Sequence, residues 1–331
     1  MSNHVVLLLL LMASFQLTSS TLSQRLGDVD PDLPALLKIK AQFGEQAALA
    51  SWQPGTDHCT WPHAFCDQNR RVVAIFLEGV NITSTIPPAI GDLDRLRTIS
   101  IDNIPGLTGP IPDSFGNLSR LSIFNIMRTS VSGPLPASLA RTNLTSVSFA
   151  QNKLTGRIPM SFQDLPHLAH FDASNNALVG RIPPGLVSGG TRESPLGLTL
   201  SNNRLTGRIP RSYGREDYFI NFRVANNRLR GDASFLFRRE KAVSDIDLSG
   251  NKLRFDLIGV EIPEALLFLN VSRNRIYGGV PASLPRSRLV RLDLSYNRLC
   301  GEIPPGGIMG RFKAAAYEHN RCLCGTPLPP C

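Results

Sequence analysis

Apolar residues recur along this chain on a fixed count. An apolar side chain opens a short turn, glycine-containing in most cases, at Ile82, Leu107, Val131, Leu154 and Leu178. The same position returns at Leu205, Leu229, Leu253, Ile276 and Leu299. Steps between these anchors run from 23 to 27 residues. Seven and five residues before an anchor stand two more apolar positions, as Leu198 and Leu200 stand before Leu205. That period of two predicts a short strand with one face buried. Two residues before the anchor, the last seven units carry Asn152, Asn176, Asn203, Asn227, Asn251, Asn274 and Asn297. A buried amide there can bond the backbone groups that a tight turn leaves unpaired. The first three units have Val80, Pro105 and Thr129 instead, so a less regular N-terminal end is expected. After the anchor comes "TGxIP", in which Gly supplies a turn and Pro ends the pairing.

A period near 24 residues is that of leucine-rich repeats. One unit cannot bury its apolar stripe alone, but stacked units bury it against each other. The expected fold is therefore an α/β solenoid. It is a right-handed leucine-rich-repeat superhelix of ten repeats, with a parallel β-sheet on the concave face. The two ends need covers. Pro34–Phe43 reads as a capping helix, with Trp52 and Trp61 available beside it, and the C-terminal tail covers the other end. The expected division is 1–20 signal peptide, 21–71 N-terminal cap, 72–306 repeats and 307–331 C-terminal cap.

Composition narrows the setting. The first twenty residues of the 331 contain no Lys, Arg, Asp or Glu, and their apolar run Val5–Ala13 is too short to span a bilayer. No later stretch approaches a membrane span. A secreted, extracellular protein is expected. The six cysteines lie only at the two ends: Cys59 and Cys66, then Cys300, Cys322, Cys324 and Cys331. In a secreted chain this points to disulfide-stapled caps, and "CLC" lacks zinc-ligand spacing. Sequons at Asn81, Asn117, Asn143 and Asn270 are candidate N-glycosylation sites.

"LTGxIP" is the plant extracellular form of the repeat. With ten units, the motif decay at "LRGDASFLF" and "NKLRFDL", and the tail "RCLCGTPLPPC", the chain resembles the polygalacturonase-inhibiting proteins of plant cell walls. The resemblance covers nearly all of the mature chain. It implies a protein of the apoplast and cell wall that acts in plant defence. It implies two partners, a fungal endopolygalacturonase held on the concave face and pectin or polygalacturonate. It implies no cofactor and no metal, and a monomer is expected. It also implies the pairs Cys59–Cys66, Cys300–Cys322 and Cys324–Cys331. There are two departures. His58 stands where the family's N-terminal cap has the first Cys of a pair, and the upstream partner is missing from "DVDPDLPALL". Loss of such a bridge costs about 2–5 kcal/mol. The 27-residue step marks an insertion near "VSGGTRESP".

Nothing in the chain reads as an enzyme. His167 and His170 have no third ligand or acid near them in sequence, and a surface pair is favoured. Asp245 and Asp247 share a strand face, as a catalytic pair would, but that is ordinary on a solvated strand. There is no GxSxG and no phosphate loop. Nucleic acid does not suit a secreted disulfide protein.

The remaining chemistry is surface. One side chain per unit points outward between the strand apolar positions: Phe76, Ser100, Asn125, Ser148, Asp172, then Thr199, Arg223, Asp247, Asn270 and Asp293. Flanking outward positions add Met127, Arg128, Gln151, His170, Asn175 and Asn202, then Asn221, Asn226, Asp245, Arg273, Arg291 and Tyr296. A partner is expected between the third and eighth units, because a glycan on Asn270 would intrude at the ninth. Asp172, Asp245 and Asp247 are the candidates for pairing with an enzyme cleft that binds a polyanion. The net charge of +9 has its own pattern. Before six of the last seven anchors stands a basic residue: Lys153, Arg204, Arg228, Lys252, Arg275 and Arg298, with Ala177 the interruption. Strand stacking would space them about 4.8 Å apart, of the order of one sugar residue. Arg157, Arg181 and Arg208 make a second short column. Both columns are candidates for pectin. The alternative reading is a wall-bound recognition protein that binds pectin or a peptide and inhibits nothing. A pectinase on a parallel β-helix is disfavoured by the repeating Asn, and ice binding by charges beside the Asn array.

Overall fold

The computed structural model describes residues 30–331, so the expected signal segment lies outside the described residues. Helix α1 (Leu33–Phe43) starts with Pro34 in its first turn and ends at Gly44, whose φ of 81° suits glycine. It buries Ala35, Leu36, Ile39 and Phe43 on one face. Trp52 and Trp61 stack beside it with ring centroids 5.5 Å apart, both buried.

Two acids before α1 fasten the cap. Asp32 is buried and accepts from Arg71 Nε at 3.1 Å, Arg71 Nη2 at 2.9 Å and the Val72 amide at 2.7 Å. The Asp32 carboxylate pushes the Arg71 guanidinium above its ordinary range. Asp30 pairs with His58, whose Nδ1 lies 2.5 Å from Asp30 Oδ2. The other ring nitrogen of His58 meets the carbonyl oxygen of Arg70 at 3.1 Å. The Asp30 carboxylate and the Arg70 carbonyl are both acceptors, so each ring nitrogen faces one. The position without the family's cysteine is thus held by polar contacts of the buried His58 ring to Asp30 and to the Arg70 carbonyl. Cys59–Cys66 closes the same cap.

The concave wall is one eleven-stranded sheet. Its strands, in chain and spatial order, begin with β1 (Ala64–Cys66), β2 (Val72–Glu78), β3 (Thr98–Ile104) and β4 (Ile123–Thr129). They continue with β5 (Ser146–Ser148), β6 (His170–Asp172), β7 (Leu196–Thr199) and β8 (Tyr218–Arg223). The last are β9 (Ala242–Asp247), β10 (Phe268–Asn270) and β11 (Arg291–Asp293). Only β1 runs antiparallel, to β2; all other pairs are parallel. The ten anchors form the spine of the core, each at most 1% exposed.

The asparagine ladder explains the tight turn after each strand. Asn203 Nδ2 donates to Ala173 O at 2.9 Å and Leu200 O at 3.2 Å, and its Oδ1 accepts from the Leu178 amide at 2.9 Å. Each asparagine therefore ties two successive units. Asn320 adds an eighth rung, accepting from the Leu299 amide at 3.0 Å. The C-terminal cap thus begins as a partial eleventh turn, closed by Cys300–Cys322 and Cys324–Cys331.

The expectation of an irregular N-terminal end fails. β2, β3 and β4, at seven residues each, are the longest strands of the sheet. Without an amide to turn the chain, pairing runs on, as far as Ile104 opposite Thr129. The Thr129 hydroxyl then joins the ladder by donating to Asn152 Oδ1 and accepting from the Val131 amide.

A second layer of short strands follows the turns. Arg204–Gly207, Arg228–Gly231 and Lys252–Leu253 belong to one sheet, Tyr277–Gly278, Arg298–Glu302 and Cys322–Cys324 to another. Short 3-10 turns such as Asp113–Asn117 and Met160–Asp164 return the chain along the convex side.

Candidate partner-binding faces

Sheet register lines up the outward side chains. Phe76 lies opposite Ser100, Ser100 opposite Asn125, and Asn125 opposite Ser148. The column runs on through Asp172, Thr199, Arg223, Asp247, Asn270 and Asp293. A parallel column holds Ser146, His170, Gly197, Asn221, Asp245, Phe268 and Arg291. Ten parallel strands at ~4.8 Å give a face roughly 45 Å long.

The acids on this face differ in availability. Asp245 is not free: it is buried, and Arg223 grips it with Nε–Oδ1 at 3.0 Å and Nη2–Oδ2 at 2.5 Å. That hydrogen bond raises the Arg223 guanidinium above its ordinary range. Asp172 and Asp247 use one oxygen each to cap their own strand ends, on the Ser174 and Ser249 amides at 2.8 and 3.0 Å. Their Oδ2 atoms make no such bond, and both residues are half-buried. At the N-terminal part, Arg128 pairs with Asp102. Met127 lies opposite Asp102, on the same stretch.

The other flanking residues form a turn column. Arg128, Gln151, Asn175, Asn202, Asn226, Arg273 and Tyr296 all have φ between 51° and 59°. Asn tolerates this left-handed conformation; Arg, Gln and Tyr adopt it less readily. Asn202 Nδ2 donates to Asn175 Oδ1 at 2.9 Å, and Asn226 Nδ2 to Asn202 Oδ1 at 2.8 Å. Further along, the Arg273 guanidinium sits 4.2 Å from the Tyr296 ring centroid, and Tyr296 stacks on His319 at 4.1 Å.

Asn270 is half-buried on the concave column, and its Oδ1 accepts from the Ser272 amide at 3.1 Å and hydroxyl at 2.8 Å. Asn81, Asn117 and Asn143 are exposed. His170 lies over Gly197, where a Cβ would fall 2.7 Å from Nδ1. It lines a recess with His167 and the inserted loop at Ser188, Gly189 and Ser194. Among the described residues the one cluster with metal-ligand atoms is His58, Cys59 and Cys66, and both cysteines are in a disulfide.

Lys153, Arg204, Arg228, Lys252 and Arg298 are exposed on second-layer strands, and Arg275 is exposed just before one. Their spacing differs from the sequence-based figure. Arg228 lies opposite Thr206, not Arg204, so the layer is staggered by two residues per unit. Neighbouring members of the column are therefore about 8 Å apart rather than ~4.8 Å. No helix among the described residues is long and apolar enough to cross a membrane.

Residues 29–67 match the family described as Leucine rich repeat N-terminal domain, and residues 143–165 and 288–307 match Leucine Rich Repeat. Polygalacturonase inhibitor 2 of Arabidopsis thaliana is 37% identical, over 98% of this chain and 98% of its own. The polygalacturonase inhibitor of Pyrus communis is 39% identical, over 95% of this chain and 96% of its own. Among solved structures, a plant ice-binding protein superposes with a TM-score of 0.82 at 36% identity, covering 92% of this chain and 98% of that one.

Proposed function

The chain belongs to the polygalacturonase-inhibitor family of leucine-rich-repeat proteins, and we propose that it is a secreted plant-defence inhibitor of fungal endopolygalacturonases. It acts by binding, with no chemistry of its own. The observation that carries this reading is the registered polar column along the concave sheet, an open rigid face long enough to cover an enzyme cleft. An enzyme that cuts polygalacturonate must hold a polyanion, so its cleft carries Lys or Arg. Asp172 and Asp247 each keep an oxygen for such groups, and they flank Arg223 on the same face. Asn125, Met127, Ser148, Gln151, Thr199 and Asn221 supply neutral contacts around them.

The second layer carries a different partner. Its exposed cations suit pectin, which would hold the protein in the wall where the enzyme works. Ice binding is less favoured. Asn175, Asn202 and Asn226 bond each other, and Arg128, Arg273 and Tyr296 interrupt the array.

The test is reducing-sugar release from polygalacturonate by a panel of fungal endopolygalacturonases, titrated with the purified protein. Saturable suppression of one enzyme or more is expected. Folded protein that suppresses none would replace this reading with wall-bound recognition.

A further inference from the structure

The concave sheet ends at β11, and the cap does not continue it as a strand. Two 3-10 turns, Gly307–Arg311 and Ala314–Ala316, take the next place. The Leu294 amide donates to Ala316 O at 2.8 Å, as the Leu248 amide donates to Asn270 O at 2.8 Å. Asp247 lies opposite Asn270, so by the same register Asp293 lies beside Ala316. Arg311–Lys313 precede Ala316 and therefore stand towards the start of β11, where Val290 and Arg291 are. These cap turns wall one end of a recess of about 790 Å³ on the concave face. From the wall it runs back over β10, β9 and β8 to Thr199 on β7.

The recess is chemically uneven. Its walled end is apolar and cationic. Val290, 62% exposed, and half-buried Phe268 line it, and the Arg291 guanidinium sits 5.6 Å from the Phe268 ring centroid. Arg291, Arg311 and Lys313 are exposed, and none makes an ion pair among the described residues. The other edge, at the ends of the strands, is acidic. Asp247 and Asp293 stand there half-buried, each with Oδ1 on the amide two residues on, at 3.0 Å in both cases. Asp245, between them and the walled end, is held by Arg223.

We propose that this recess captures the free carboxyl terminus of an extended peptide whose last side chain is apolar. Three unpaired cations around an apolar patch fit one carboxylate next to an apolar group. The wall stops any chain lying across the strands, so what is held there is a chain end. The cations select the carboxyl end over the ammonium end. From β7 to the wall is five strand spacings, roughly 24 Å, with room for about seven extended residues. A polyuronate fits less well. It carries a carboxylate on each unesterified sugar, and away from the wall these would meet Asp247 and Asp293. A single terminal charge avoids that repulsion. The inference stands apart from the inhibitor reading, which neither needs nor supplies a peptide.

The experiment uses the immobilised protein prepared without N-glycans, because Asn270 lines the recess. It is offered two pools of random peptides of about seven residues, one with free and one with amidated carboxyl termini, and the retained peptides are sequenced by mass spectrometry. Free-acid peptides ending in Leu, Ile, Val or Phe should be retained at least about tenfold over their amidated twins. The variant R291Q/R311Q/K313Q should lose that enrichment at an unchanged melting midpoint. Val290→Asn should keep the preference for the free carboxylate and weaken the selection of an apolar last residue. Equal retention of the two pools, or undiminished enrichment by the triple variant, overturns the site. Free-acid peptides enriched with no preference at the last position overturn the apolar part of it. Trigalacturonate that displaces the retained peptides as well as a free-acid peptide does would make this a uronate site and overturn the peptide.

Discussion

Replacing Asp30 with Ala removes the carboxylate that His58 Nδ1 meets at 2.5 Å. The His58 side chain is 2% exposed and that of Asp30 28%. Stranding one member of a fully buried pair costs about 3–5 kcal/mol. Water reaches the Asp30 side, which reduces the loss to roughly 2–3 kcal/mol. That is comparable to the low end for a cap disulfide, about 2–5 kcal/mol. In a solenoid the effect should stay local, because each unit contacts only its neighbours. The assay is hydrogen exchange of amides that report cap opening, such as Leu36, which donates to Asp32 O at 2.9 Å. Exchange there should speed up roughly 30- to 150-fold, while the Leu229 amide deep in the stack stays unchanged. Asp30→Asn keeps an acceptor without the charge and should lose less. Cap amides in Asp30→Ala that exchange within about threefold of wild type would refute the claim that this pair stands in for the missing bridge.

Two further outcomes follow from buried polar groups. Asn251→Ala strands Val224 O, Leu248 O, Ser249 O and the Leu229 amide, all within 3.1 Å of the side chain, and should cost roughly 2–4 kcal/mol by chemical denaturation. Asn226→Ala, on the exposed ladder, should cost less than Asn251→Ala, about 1–2 kcal/mol, mostly because Ala adopts the φ of 52° less readily than Asn. Lys241 is buried, and desolvation lowers its amine to about 8 from 10.5. Between those values the unfolded chain binds more protons than the folded one, so stability rises with pH through that window, by at most roughly 3 kcal/mol. Lys241→Met should flatten the rise seen in denaturation midpoints across it, and an unchanged slope would contradict the assignment.

Much of the architecture was legible because two periods reinforce each other. Burial fixes the alternation within a strand, and stacking fixes the repeat length, so the outward column could be placed residue by residue. Even Ser100, seven residues before Leu107 instead of six, falls in register. What escaped had no period. Asp30 and His58 lie in a non-repeating cap, where pairing depends on how the chain packs. The Arg223–Asp245 grip crosses adjacent strands on a diagonal, and only the register reveals it. The stagger of the second layer was invisible because equal spacing in sequence does not fix the slant between neighbouring strands. The partial eleventh turn was hidden because Cys322 replaces the usual leucine, although "NRC" at Asn320 keeps the Asn-Arg of earlier units.

The central claim is that the concave sheet closes an endopolygalacturonase cleft through Asp172 and Asp247. The most direct measurement is an inhibition titration of a sensitive fungal enzyme by wild type, by the double variant D172R/D247R and by the edge-column triple variant R204Q/R228Q/K252Q. Inhibition by the double variant should weaken at least about tenfold at an unchanged melting midpoint, while the triple variant inhibits like wild type. A double variant as potent as wild type, or a loss of potency confined to the triple variant, would contradict the account.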